Sequence, residues 1–124
     1  MKEAALIFLG GGIGSVLRYV IGKAIHQPFP GFPWHTFAVN VAGSLLLGLL
    51  VSLFTCTATP NQVSLRLFLA VGFCGGFTTF STYSHEAVQL LGNGHITVFL
   101  LYTSASLVAG FAALAAGILI ARAF

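Results

Sequence analysis

The sequence predicts an all-α integral membrane protein of four transmembrane helices, the third of them broken near its middle. Three observations carry that prediction. Charged residues make up 6% of the chain and hydrophobic ones 57%, whereas a water-soluble surface needs roughly a quarter of residues charged. Mean hydropathy is +0.99, and a spanning helix takes about 20 apolar residues, so four spans fit within 124 residues with short connections. The third observation is a cluster of Gly, Ser and Thr between Gly72 and Tyr83, inside an otherwise apolar stretch.

The chain reads as a single four-helix domain, 1–124. Span one runs from about Ala4 to Ile25. It has no A-x-A-like cleavage site and three more spans follow, so it reads as a retained helix rather than a signal peptide. Pro28, Pro30, Gly31 and Pro33 mark Gln27 to Pro33 as a turn. Span two runs from about Trp34 to Cys56, with Trp34 placed as an interfacial aromatic. Thr57 to Gln62, with Pro60 and Asn61, is the next connection. Span three covers about Leu65 to Leu91, Gly92-Asn93-Gly94 is a turn, and span four runs from Ile96 to Ala121. Lys2, Arg66 and Arg122 fall on one side of the membrane and Lys23 on the other, with Arg18 inside span one. This charge bias favours termini inside, and it is small enough to permit insertion in both orientations.

Glycines at helical spacing, Gly10 and Gly14 in span one and Gly72 and Gly76 in span three, let backbones approach closely in lipid, and ordinary packing is the expected role in span one. Polar residues in lipid are costly unless paired, which makes them functional candidates. Thr36, Asn40, Ser44 and Gly48 recur every four residues on one face of span two, and Tyr102, Ser106 and Gly110 do so on span four. Such stripes either bond helix to helix or line a pathway; the mid-span amide of Asn40 weighs toward the second.

Span three decides between them. Three glycines at about 1 kcal/mol each against helix, beside Thr78, Thr79, Ser81 and Thr82, predict a break around Gly75 to Thr79. Non-helical backbone at this depth survives only when buried in protein or lining a cavity, and its freed carbonyls suit a cation. Phe80 and Tyr83 then share one face if the helix resumes, where their positive ring edges suit a small anion as well as a packed core. Glu86 continues the face of Thr82, either as a solvated anchor or as a pathway residue. Arg18 admits three roles: pairing with Glu86, capping a helix end, or drawing anions to a vestibule. His26, His35, His85 and His95 lie near the membrane edges without metal-ligand spacing. Cys56 and Cys74 read as small apolar residues in or beside helices. There is no basic run for nucleic acid, and no nucleophile, carboxylate pair or phosphate loop that points to an enzyme.

The string Gly75-Gly76-Phe77-Thr78-Thr79-Phe80-Ser81-Thr82-Tyr83-Ser84 resembles the signature of the Fluc/CrcB fluoride channel family. Gly14-x-x-x-Arg18-Tyr19 and Thr36-x-x-x-Asn40-x-x-Gly43 resemble its first- and second-span motifs, in the same order and at similar spacing. The resemblance implies a multi-pass inner-membrane channel that exports fluoride passively, built as a dual-topology antiparallel homodimer with two pores. It also implies a structural sodium ion at the dimer centre, held by backbone carbonyls that map to Gly75 and Thr78. The pore residues it implies are Asn40, Phe80, Tyr83, Ser81, Thr82, Tyr102 and Ser106. Two positions depart from the family pattern: Tyr83 stands where phenylalanine is usual, and Gly110 replaces a serine.

The runner-up reading is a small proton-coupled multidrug transporter of similar size, which relies on a carboxylate inside its first span. Here Glu3 lies at the terminus and Glu86 in span three. A third reading, a non-conducting assembly subunit, leaves the internal polar stripes without a use.

Overall fold

The computed structural model describes residues 1–25, 31–54 and 60–123. Helix α1 is Lys2–Ala24 and α2 is Trp34–Leu53. The third span is composite: α3 (Pro60–Arg66), a π-helical stretch (Leu67–Cys74), a short α4 (Gly75–Phe77), and, after an interruption, α5 (Phe80–Gly92). Helix α6 is Ile96–Arg122. Four segments are long and apolar enough to cross a membrane: 2–24, 34–53, 61–92 and 96–122. The expected spans are therefore present, with two boundaries moved. The third begins at Pro60 rather than near Leu65, because proline is well tolerated in a helix's first turn, where its missing N–H has no partner to lose. Helix α2 stops at Leu53, and the expected end at Cys56 lies outside the described residues, as do His26 and most of the first turn. The turn after α5 reverses through Gly94 at φ +76°, a left-handed conformation suited to glycine.

Small residues set the packing. Helix α1 lies along the first half of the third span, and α2 lies along α6. A Cβ on Gly10 would overlap the Phe68 carbonyl, one on Gly14 the Phe73 carbonyl, and one on Gly76 the Gly11 carbonyl. The backbones are in direct contact there, the close approach expected of small-x-x-x-small pairs in lipid. Gly48 of α2 and Gly117 of α6 do the same for the second pair, against Leu114 and Leu45.

Of the glycines expected to break the third span, Gly72 and Gly76 instead serve this packing, and Gly75 has no neighbour within 4 Å. Gly75 and Gly76 are helical, and the interruption is confined to Thr78 and Thr79, with φ/ψ of −80°/159° and −150°/117°. β-Branched threonine accepts extended backbone readily, and local bonds fix it there. The Thr78 hydroxyl donates to the Cys74 carbonyl at 2.9 Å. The Thr79 hydroxyl caps α5, accepting the Thr82 N–H at 3.3 Å and donating to the Thr82 hydroxyl at 3.0 Å.

Candidate functional site

A broken helix inside a membrane must satisfy the backbone groups it frees. Asn40, one turn and a half into α2, does so as a second peptide would. Its Oδ1 accepts the Thr79 N–H at 2.8 Å, and its Nδ2 donates to the Thr79 carbonyl at 3.1 Å. The Gly76 carbonyl, facing the break, accepts from Arg18 Nε at 3.2 Å and from Ser15 Oγ at 3.3 Å. Of the three roles open to Arg18, the structure shows the helix-end one, a charge-assisted bond onto the last turn before the break.

Diverting these donors leaves other carbonyls without helical partners. The Gly75 carbonyl would bond the Thr79 N–H in a continuous helix, and that group is held by Asn40. The Thr78 carbonyl would bond the Thr82 N–H, which is held by the Thr79 hydroxyl. These two residues are the ones the family resemblance assigns to sodium. Neutral carbonyl oxygens suit a hard monovalent cation, and the described residues hold no His/Cys/Asp/Glu cluster for another metal.

Beside the break lies an open groove of about 260 Å³. Asn40, Ser44, Thr78, Thr79 and Ser106 supply its polar lining, and Phe80, Tyr83, Leu47 and Leu107 its apolar one, with Gly43 and Gly110 completing it. The Phe80 and Tyr83 rings do share a face, with centroids 5.8 Å apart and planes tilted by 33°. Phe80 is 79% exposed at the groove's rim. The Ser106 hydroxyl is buried with no hydrogen-bond partner among the described residues, a donor available to whatever enters.

A second cavity, about 440 Å³, carries the basic groups Arg18, Lys23 and His35 together with Ser15, Thr36 and Thr82. Thr79 lines both this cavity and the groove, so the broken backbone is their shared wall. Lys23 sits 4.9 Å over the Tyr19 ring. A third cavity, about 370 Å³, is lined by His35, Glu86, Gln89, Asn93 and His95 among others.

The site residues expected from sequence thus divide. Asn40, Phe80, Tyr83 and Ser106 meet at the groove, with Thr78. Thr82 faces the basic cavity with Arg18. Ser81 is exposed at the head of α5, 3.5 Å from the Thr79 hydroxyl, and Gly75 is exposed on α4. Tyr102 is fully buried, its hydroxyl donating to Glu86 Oε2 at 2.8 Å. Glu86 also accepts from Thr36 Oγ1 at 2.8 Å and faces His35 Nε2 at 3.1 Å, so it is not Arg18's partner. Sequence reasoning missed Ser15, Thr79 as a cap, and His35. Only Thr79 left a local signal, a threonine three residues before another at the start of a helical run.

The profile of the family described as "CrcB-like protein, Camphor Resistance (CrcB)" matches residues 5–118. The chain is 47% identical over 119 residues to a fluoride-specific ion channel FluC of Phocaeicola vulgatus, covering 95% of this chain and 97% of the relative. It is 46% identical over 117 residues to one of Chlorobium luteolum, covering 94% and 90%, and 45% identical over 123 residues to one of Agrobacterium fabrum, covering 98% of each. These relatives are named as channels and not as enzymes. With four spans, a third span interrupted at Thr78–Thr79 and a match over nearly its whole length, the chain belongs to the CrcB-like, or Fluc, family.

Proposed function

We propose that this protein is a fluoride-selective channel of the inner membrane, which lets fluoride leave the cytoplasm down its own gradient. The observation that carries the reading is the donor-lined groove beside the broken third span, which shares Thr79 of its lining with a basic cavity. The names of its relatives point to the same ion.

Dehydration is the main barrier for so small and strongly hydrated an anion, and a filter must replace water without binding too tightly. Arg18 and Lys23 raise the local anion concentration in the basic cavity. The Thr82 hydroxyl, which accepts from Thr79, has its own proton to offer there. In the groove, the second Nδ2 hydrogen of Asn40 and the Ser106 hydroxyl are donors, and the α5 N-terminus adds its partial positive charge. Phe80 and Tyr83 contribute ring edges, which attract an anion without a full charge to trap it. No Lys or Arg lines the groove.

The groove is open on the side where Phe80 stands exposed. An antiparallel second copy of this chain is the partner we assign to that side, closing two pores. Sodium at the dimer centre, on the carbonyls of Gly75 and Thr78, would supply positive charge that satisfies acceptors left without helical donors. The drug-transporter alternative lacks its carboxylate: Glu3 is exposed at the start of α1, and Glu86 is tied to α2 and α6. Purified protein in liposomes loaded with potassium fluoride tests the reading. Valinomycin should release fluoride to an ion-selective electrode, and dye uptake driven by a pH gradient should be absent.

A further inference from the structure

His35 stands in the first turn of α2, between Trp34 and Thr36. Its Nε2 lies 3.1 Å from Glu86 Oε1, the oxygen that also accepts from Thr36, while Oε2 accepts from Tyr102 of α6. An ionised carboxylate can only accept, so Nε2 carries a hydrogen whether the ring is neutral or charged. The proton that pH adds or removes is therefore the one on Nδ1. Charging the ring breaks no bond to Glu86 and requires no rotation. It changes the pair from one net negative charge to none.

The pair is placed where its charge is felt. The ring is 32% exposed and lines two spaces, the basic cavity and the cavity that Glu86 lines. From α1, Arg18 and Lys23 share the basic cavity with it, and Gly22 borders the ring, its Cβ position 3.9 Å from Cδ2. Helix α5 presents Glu86, while the neighbouring His85 is exposed and lines neither space. Helix α6 presents the Tyr102 hydroxyl to Glu86, and His95 at its head lines the second cavity. Helix α2 carries no other titratable group. Histidine is the side chain that changes charge between about pH 5 and 8. Among the described residues only His35 is within ion-pair reach of the carboxylate.

We propose that His35 is a proton sensor for the anion path: on taking up a proton it cancels the Glu86 charge beside the basic cavity, and fluoride passes faster as pH falls. Neutral His35 leaves Arg18 and Lys23 partly offset by Glu86; charged His35 leaves them unopposed. One charge about 10 Å from an anion changes its local concentration roughly twofold at water's dielectric constant, and more where protein excludes water. The inference rests on the fluoride-channel reading for its readout ion, not for the titration itself.

Fluoride efflux from liposomes with the same buffer inside and out, at about pH 6 and about pH 8, tests it. Protein-free liposomes give the hydrogen fluoride leak to subtract. The wild type should be at least about twofold faster at the lower pH. His35→Gln keeps a donor for Glu86 but takes no charge, and should run at one rate in both buffers. His35→Lys is charged throughout and should also be flat, at or above the faster wild-type rate. His95→Gln should keep the wild-type ratio. Equal wild-type rates in the two buffers, or a His35→Gln that keeps the wild-type ratio, overturns the sensor. Where the glutamine variant does not fold, a pH-dependent His35→Lys does so. Nuclear magnetic resonance of histidine-labelled protein in detergent separates this from a failure of the channel reading. The imidazole signal lost in His35→Gln should titrate between about pH 5 and 8, and one that does not titrate overturns the sensor. Absence of fluoride flux in both buffers sinks the channel reading and not the titration.

Discussion

Replacing Asn40 with leucine removes both partners of the Thr79 peptide while nearly preserving side-chain volume. In the structure that peptide gives its N–H to Oδ1 at 2.8 Å and takes Nδ2 at 3.1 Å, and no other bond to either group is made among the described residues. Each orphaned group costs about 1–3 kcal/mol when water is kept out, so Asn40→Leu should destabilise the break by about 2–6 kcal/mol. Local opening by even the lower figure is about a thirtyfold change in population. Hydrogen exchange read at the Thr79 amide in detergent micelles should accelerate by at least that factor, and fluoride efflux should fall. Asn40→Asp separates the two bonds. It keeps an acceptor for the N–H but sets a carboxylate against the Thr79 carbonyl, so amide protection should persist while flux is lost. Wild-type exchange at Thr79 in Asn40→Leu would refute the clamp and return Asn40 to the groove alone.

Other outcomes follow from single contacts. Gly14→Val should lower the unfolding temperature by an overpacking cost of about 1–3 kcal/mol, because the Phe73 backbone cannot yield, whereas Gly12→Ala, with nothing within 4 Å, should be neutral in a thermal scan. Arg18→Met should cost about 1–3 kcal/mol by leaving the Gly76 carbonyl to Ser15 alone, and Ser15→Ala should cost less; chemical or thermal unfolding in detergent orders the two. Tyr83→Phe should preserve fluoride flux, since it keeps the ring that lines the groove, while Phe80→Ala should reduce it; unchanged flux in Phe80→Ala would return that ring to packing. Replacing sodium by N-methylglucamine throughout purification should lower the unfolding temperature if the Gly75 and Thr78 carbonyls hold the ion, and an unchanged temperature would count against that assignment.

The four spans were legible because lipid imposes a length and a composition on any helix that crosses it. The break was legible to within a few residues, but for a partly mistaken reason. Propensity pointed at Gly75 and Gly76, yet intramembrane helices tolerate glycine where a neighbour approaches, and Gly76 is pressed against Gly11. The interruption fell instead on Thr78 and Thr79, where hydroxyls offer competing local bonds. The polar stripes were visible as periodicity, but one face of a helix meets several neighbours along its length. On α2, Thr36 meets Glu86, Asn40 meets Thr79, Ser44 meets the groove and Gly48 meets α6. Partners of Arg18 and Glu86 lay 58 and 50 residues away, and sequence spacing carries no information at that range.

The central claim is that the groove beside Thr78–Thr79 passes fluoride and excludes larger halides. Paired efflux from liposomes holding the purified protein, one set loaded with fluoride and one with chloride, tests it most directly. Fluoride should leave rapidly once valinomycin carries the countercharge, while chloride stays. Folded protein that releases no fluoride, or releases chloride equally fast, would contradict the account.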